Sequence, residues 1–140
     1  PLCEREGIGQ IVWSPMAQGV LTGKYLPGKK APAGSRAHDK GGAGMISRWL
    51  REEVLTTVQK LKPIAESIDL TMGQMALAWA LANKNVSSVI MGATKPSQVK
   101  DNVKASGVKL DAATMKAIDQ ALGSLPERDP SKNVSPNPRS

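Results

Sequence analysis

Phenylalanine is absent from these 140 residues, and a single tyrosine accompanies three tryptophans. With aromatics at 3%, an aromatic-rich sandwich is excluded; a barrel packed from small and branched residues fits, since such residues dominate barrel interiors. One cysteine, Cys3, excludes an internal disulfide and suits a reducing compartment. Long apolar runs are missing too. The longest, Met75 to Ala82, is far shorter than a bilayer span, and no charged-then-apolar leader opens the chain, so a cytoplasmic protein without membrane attachment is expected.

Charge of one sign is in short supply: 12 Asp and Glu face 19 Lys and Arg, a net +7. A basic balance can serve nucleic acid or a phosphate-bearing small ligand. The basic residues are scattered here, as at Lys29–Lys30, Arg48, Arg51, Lys60, Lys62, Lys100 and Lys104. No aromatic residues interleave them to stack on bases, so nucleic acid is set aside. A helix-turn-helix over Ile64 to Leu81 fails as well, because Met75 to Ala82 offers almost no polar side chain to a groove.

What is present has the order strand, helix pair, strand, helix, helix. Ile8 to Ser14 reads as a short buried strand, with Ile8, Ile11, Val12 and Trp13 nearly continuous. Leu26 to Ser47 reads as a long loop holding Pro27, Gly28, Pro32, Gly34, Gly41, Gly42 and Gly44, of the length used for functional lids. Arg48 to Ile68 has helical spacing that Pro63 should kink or split. Thr71 should cap a helix over Met72 to Asn83, with Gln74 completing a capping box; its body is apolar almost all round and should be buried.

Val86 to Met91 reads as a second strand, followed by helices over Ser97 to Ala105 and from Asp111 through Leu122. Parallel strands joined by a crossover helix follow from that order. The first residues, Pro1 to Gly7, read as the tail of a helix closing on a C-cap glycine, without an initial Met; the chain is expected to begin in mid-domain. Residues 1–125 should form the folded part, and 126–140, with Pro130, Pro136 and Pro138, a disordered or draped tail.

Two loops carry the chemistry, and each follows a strand, where ligands bind in α/β proteins. The first is Ser14-Pro15-Met16-Ala17-Gln18-Gly19-Val20-Leu21-Thr22-Gly23-Lys24-Tyr25. Its Lys24 is suited to a pyrophosphate. The second, Gly92-Ala93-Thr94-Lys95-Pro96-Ser97-Gln98, leads into a helix whose free N–H groups and positive dipole end favour phosphate. Gly92 allows close backbone approach, and Gln98, Asp101 and Asn102 share one helix face that can hydrogen-bond an adenine or ribose. Either loop alone is equally well read as ordinary turns and a capped helix; together they suggest a nucleotide grip.

At these residues a resemblance becomes specific. Trp13 to Tyr25, Gly34-Ser35-Arg36, Gln74 to Trp79, and Gly-Ala-Thr-x-x-x-Gln-x-x-Asp-Asn at Gly92 to Asn102 closely resemble the aldo-keto reductases, nearest to the branch with the potassium-channel beta subunits and bacterial relatives. The resemblance runs from Pro1 to about Leu122. It implies the C-terminal part of a (β/α)8 barrel, with the two strands as its seventh and eighth, binding NADPH at the strand ends. It implies Trp13 stacked on the nicotinamide, and Ser14, Pro15, Met16, Ala17, Gln18 and Lys24 along the pyrophosphate. Arg36, Thr94 and Gln98 would hold the 2′-phosphate, with Asp101 and Asn102 at the adenine and Gly92 among the cofactor-binding residues. Gln98 stands where many members carry Arg, and Gly34 where the channel-subunit branch carries Tyr.

The same resemblance implies a catalytic tetrad of Asp, Tyr, Lys and His on strands this chain does not contain, so no catalytic residue is expected here. Lys24, Tyr25, His38 and Asp39 supply the same residue types, at positions the family does not use. Tyr25 is expected to be a packing residue and His38 a solvated one. The expected partners are a small carbonyl substrate and either the rest of a barrel or a second copy of the chain. The rival expectation is a non-catalytic nicotinamide-nucleotide-binding regulatory protein, like a channel beta subunit.

Overall fold

A computed structural model describes residues 2–129 and 132. Helix α1 (Leu2–Arg5) ends as expected on Gly7, whose φ of +66° lets the Ile8 N–H turn back to the Cys3 carbonyl at 2.7 Å. Strand β1 (Gln10–Trp13) is shorter than the Ile8–Ser14 reading. It pairs in parallel with β2 (Val86–Ile90), with Ile11 opposite Ser88, Val12 opposite Val89 and Trp13 opposite Ile90. The register slips between Gln10 and Ile11, where β2 carries the extra residue Ser87. A side chain on Gly9 would begin 2.4 Å from the Ser87 hydroxyl, so any larger residue would have to turn that hydroxyl aside where the strands close.

Between the strands run a 3-10 segment (Ala17–Thr22), an irregular stretch, and short α2 (Ala43–Ile46). Helices α3 (Glu52–Gln59) and α4 (Lys62–Ser67) follow, then α5 (Met72–Leu81). The single helix read over Arg48 to Ile68 is thus split. Pro63 sits in the first turn of α4, where its missing N–H has no intrahelical partner to lose. Helix α6 (Pro96–Asn102), a 3-10 turn (Val103–Ala105) and α7 (Ala112–Leu122) complete the described elements; Asp111 caps α7, accepting the Thr114 N–H at 2.7 Å.

The core lies on the helical side of the sheet. Val20, Tyr25, Ile46, Val54, Val58, Leu61, Met75 and Ile118 pack there from five separate segments. Ile46 is wholly buried, which ties down the end of the stretch read as a free loop over Leu26 to Ser47. Helix α5 packs against β2, and Met72 through Ala78 are all buried. The expectation of burial along all of α5 fails at its C-terminal end, where Trp79 is 37% exposed.

The strands depart from the sequence reading more sharply. They were expected to be buried, yet Ile11 and Trp13 are each 67% exposed and Ile90 is 59% exposed. The half-buried Val12, Val86 and Val89 mark the covered side of the sheet. The opposite side, with Ile11, Trp13, Ser88 and Ile90, is exposed. Among the described residues no helix is long and apolar enough to cross a membrane. The tail read over 126–140 lies largely outside the described residues, at 130, 131 and 133–140.

Leu77 is 1% exposed at the centre of α5. Leu77→Ala is expected to cost about 2–5 kcal/mol of stability by leaving a cavity, measured by urea unfolding. The Asp111 carboxyl is held below its ordinary value, first by the Thr114 backbone N–H, then by the Thr114 hydroxyl. A depressed carboxylate contributes stability that is full above the ordinary value of 3.8 and is lost as pH falls through the lowered one. Amide exchange in the first turn of α7 should therefore quicken only on that acid side, and Asp111→Asn should flatten the response.

Candidate functional site

The first loop begins where β1 ends, with Trp13 presenting its ring to the open side of the sheet. The backbone then enters the left-handed region at three residues that are not glycine: Ser14 (φ +52°), Ala17 (φ +47°) and Gln18 (φ +59°). Left-handed conformation puts Cβ against the following carbonyl, and such residues gather at ligand sites. Internal hydrogen bonds hold the shape, from Ala17 N–H to the Ser14 carbonyl (2.9 Å) and from Gly19 N–H to that of Met16 (2.9 Å). Val20, 1% exposed, anchors the loop in the core.

Side chains tie this loop to the Gly-rich stretch. The Gln18 amide donates to the Ser14 hydroxyl at 2.8 Å, while its carbonyl accepts from the Arg36 guanidinium. Ser14, Gln18 and Arg36, expected to share one site, are thus brought together. Arg36 is exposed, so its remaining donors face solvent. Lys24 folds over the Tyr25 ring, its ammonium 5.4 Å from the centroid and close against Gly19. Gln59 fixes the segment from below by donating to the carbonyls of Gly23 (3.1 Å) and Tyr25 (3.2 Å). Nothing in the sequence singled out Gln59.

The second loop is built differently from its reading. The Gln98 carbonyl accepts both the Thr94 N–H (2.7 Å) and the Thr94 hydroxyl (3.2 Å). Pro96, in the first turn of α6, has no N–H at all. The expected cradle of free N–H groups is therefore reduced, because the Gln98 side chain, four residues on, folds back onto the Thr94 N–H. An open depression of about 520 Å³ lies beside it, lined by Ala93, Thr94, Lys95, Pro96, Val99 and Lys100. Gly92 borders open space: a side chain there would meet nothing within 4 Å.

Asp101 and Asn102 are half-buried on α6. The Asp101 carboxylate accepts from the Gln74 amide at 3.0 Å, and its backbone carbonyl accepts from the same nitrogen at 3.0 Å. Gln74 is 5% exposed. The sequence offered it only as a capping residue, which it also is, accepting the Thr71 N–H at 3.0 Å. The first turn of α5 reaches the other loop too: the Met16 thioether lies beside Gly73, as does the Thr22 methyl, and the Met72 sulfur fills the space over Gly23. Met16 thus packs on α5. Pro15 occupies the turn beside it and is partly buried.

The substitute tetrad does not assemble. Tyr25 is 2% exposed and its hydroxyl accepts the Ala37 N–H at 3.4 Å, which makes it a core residue as expected. Lys24 lies over the ring face instead of at the hydroxyl, and His38 is exposed. Among the described residues no group of three His, Cys, Asp or Glu could hold a metal ion.

Comparison with known proteins identifies the family. The chain is 44% identical over 130 residues to a probable voltage-gated potassium channel subunit beta of Arabidopsis thaliana, covering 91% of this chain and 39% of that protein. It is 37% identical over 122 residues to an L-glyceraldehyde 3-phosphate reductase of Escherichia coli O157:H7, covering 85% of this chain and 35% of that protein. The chain spans about two fifths of the length of such relatives. Its fold is shared with a glycerol dehydrogenase from Gluconobacter oxydans, with a TM-score of 0.69 at 23% identity over 93% of this chain and 39% of the other. The sequence pattern of the aldo/keto reductase family matches residues 1–122, and the chain belongs to that family.

Proposed function

We propose that this chain is the C-terminal, cofactor-binding segment of an NADPH-dependent aldo-keto reductase, with β1 and β2 as the seventh and eighth strands of a (β/α)8 barrel. The observation that carries the reading is the first loop, where strained backbone at Ser14, Ala17 and Gln18 is tied to the exposed guanidinium of Arg36. The residues fit the group. Trp13 offers an exposed ring for stacking on the nicotinamide, and Ser14, Pro15, Met16, Ala17, Gln18 and Lys24 line the path of a pyrophosphate. Arg36, Thr94 and Gln98 would meet the 2′-phosphate, and Asp101 and Asn102 the adenine, with Gly92 among the cofactor-binding residues.

NADPH, when bound, supplies the hydride that converts a carbonyl to an alcohol. The chain's own residues bind and orient; the proton donor and its partners come from outside it. Its substrate is a small carbonyl compound and its setting the cytoplasm, which suits a single free thiol. The apolar sheet face with Ile11, Trp13 and Ile90 is completed by further barrel strands or, without them, by a second copy.

The second reading is a nicotinamide-nucleotide-binding subunit without turnover. It is favoured by the likeness to a channel beta subunit.

Lys24→Ala and Arg36→Ala, made in the full natural chain that carries this sequence, are each expected to weaken NADPH binding by about 1–3 kcal/mol, read by fluorescence titration. Unchanged affinity in both would sink the assignment. The purified 140-residue chain should show no aldehyde-dependent oxidation of NADPH, followed at 340 nm, and should self-associate in sedimentation; a sharp monomer with turnover would overturn both expectations.

A further inference from the structure

The first turn of α5 touches the first loop on one side and α6 on the other. Gly73 lies against Met16 and Thr22 of the first loop, and Met72 against Gly23. One residue on, Gln74 reaches the opposite way and holds α6 by two hydrogen bonds to Asp101, one to its carbonyl and one to its Oδ1, each 3.0 Å. The remaining polar atom of the Gln74 side chain accepts the Thr71 N–H at 3.0 Å, and its backbone N–H donates to the Thr71 hydroxyl at 3.1 Å. Every polar group of this 5%-exposed residue is thus engaged.

We propose that Gln74 is a positioning residue for the nucleotide grip: it fixes the Asp101 carboxylate and the polar face of α6 at a set distance from the first loop. An amide suits both tasks: while neutral, it accepts from the Thr71 N–H with one atom and donates to a carboxylate with the other. A carboxylate in its place would keep the cap but set two anions against each other; an apolar side chain would leave both arms unpaired in a buried site. By donating to Oδ1, Gln74 also orients the carboxylate so that Oδ2 remains for a ligand donor. Lys104, 3.8 Å from Oδ1, lies on the same side as the amide. The packing does the rest: because α5 is buried from Met72 to Ala78, its first turn cannot shift without disturbing the core.

This inference rests on the reading of Asp101 as an adenine-side contact, and its test separates the two. Binding of adenosine 2′,5′-bisphosphate and of nicotinamide mononucleotide is measured by calorimetry in the full natural chain and in Asp101→Ala, Gln74→Glu, the double variant and Thr71→Ala. Gln74→Glu keeps the acceptor of the cap and replaces the donor to α6 with an oxygen that repels the Asp101 carboxylate. It is expected to weaken the bisphosphate about ten-fold, the size of one lost charged hydrogen bond, and to leave the mononucleotide unchanged. Combined with Asp101→Ala, it should add little, since both act through one carboxylate. Thr71→Ala, which breaks the cap alone, should lower Tm without changing the ratio of the two affinities. If Asp101→Ala binds the bisphosphate like the parent, the adenine-side reading falls and the positioning role with it. If Asp101→Ala weakens binding while Gln74→Glu does not, or if the two effects add in full, the reading stands and the positioning role is overturned. A Gln74→Glu variant that loses both half-ligands equally would also overturn it, as a general loss of structure.

Discussion

The capped first turn of α5 is the constraint on which the remaining geometry depends. Thr71 and Gln74 exchange side-chain and backbone hydrogen bonds, satisfying two N–H groups that would otherwise be orphaned at a buried helix start. From that point seven consecutive residues are buried, so the position of the turn is set by packing on several sides. One small residue then decides how near a neighbour comes: Gly23 admits the Met72 sulfur, where a Cβ would lie 2.5 Å from it, while Met16 and Thr22 pack beside Gly73 at ordinary contact distance. A cap of this kind contributes about 1 kcal/mol. Its importance here lies less in that energy than in the first loop and α6, both registered against it.

The sheet shows the complementary situation. Two parallel strands bonded only to each other leave one face of Ile11, Trp13 and Ile90 in water. At about 25 cal/mol per Å², covering side chains of that size contributes a few kcal/mol, a large fraction of a domain's net stability. The helical layer can hold itself together through Val20, Ile46, Val58 and Leu77, but the strands have no such independent support. The loops that follow them inherit this: the first is pinned by Val20, Tyr25 and Gln59, whereas the second hangs from β2 with residues 92 through 100 exposed. The adenine side of the grip is therefore held chiefly from α6, through Asp101.

Local patterns were legible in the sequence, and non-local ones were not. The cap at Thr71, the glycine turn at Gly7 and the break before Pro63 all follow from residues within four positions of each other, where propensity and hydrogen-bonding chemistry decide. The parallel pairing followed from element order. Strand burial was misjudged because continuous hydrophobes report what a strand could bury, not whether a neighbour is present to cover it. The cradle at the start of α6 was misjudged because the Gln98 side chain competes for the Thr94 N–H, a choice that spacing alone leaves open. Gln74 to Asp101 and Gln59 to Gly23 span long stretches of chain, and a single sequence carries no signal for either. An amide on the buried face of an apolar helix was the one available hint at Gln74, since a polar group there requires partners.

The strain in the first loop has a cause of the same kind. A non-glycine residue in the left-handed region costs about 1–2 kcal/mol, and glycine at Gln18 would relieve it at an entropic cost of about 0.5–1 kcal/mol. Backbone energetics alone therefore favour glycine at that position, as at the adjacent Gly19 with φ +95°. What glycine cannot supply is the amide that joins Ser14 to Arg36. The hydrogen bond to the Ser14 hydroxyl contributes about 0.5–1.5 kcal/mol, comparable to the strain, and the exposed bridge to Arg36 adds less because water competes for it. The turn is bent against its preference because the bent form places a side chain between the loop and a cation. A glutamine that bridges to a freely exposed arginine stabilises little in the core, so its position is better explained by what that arginine is held ready to meet.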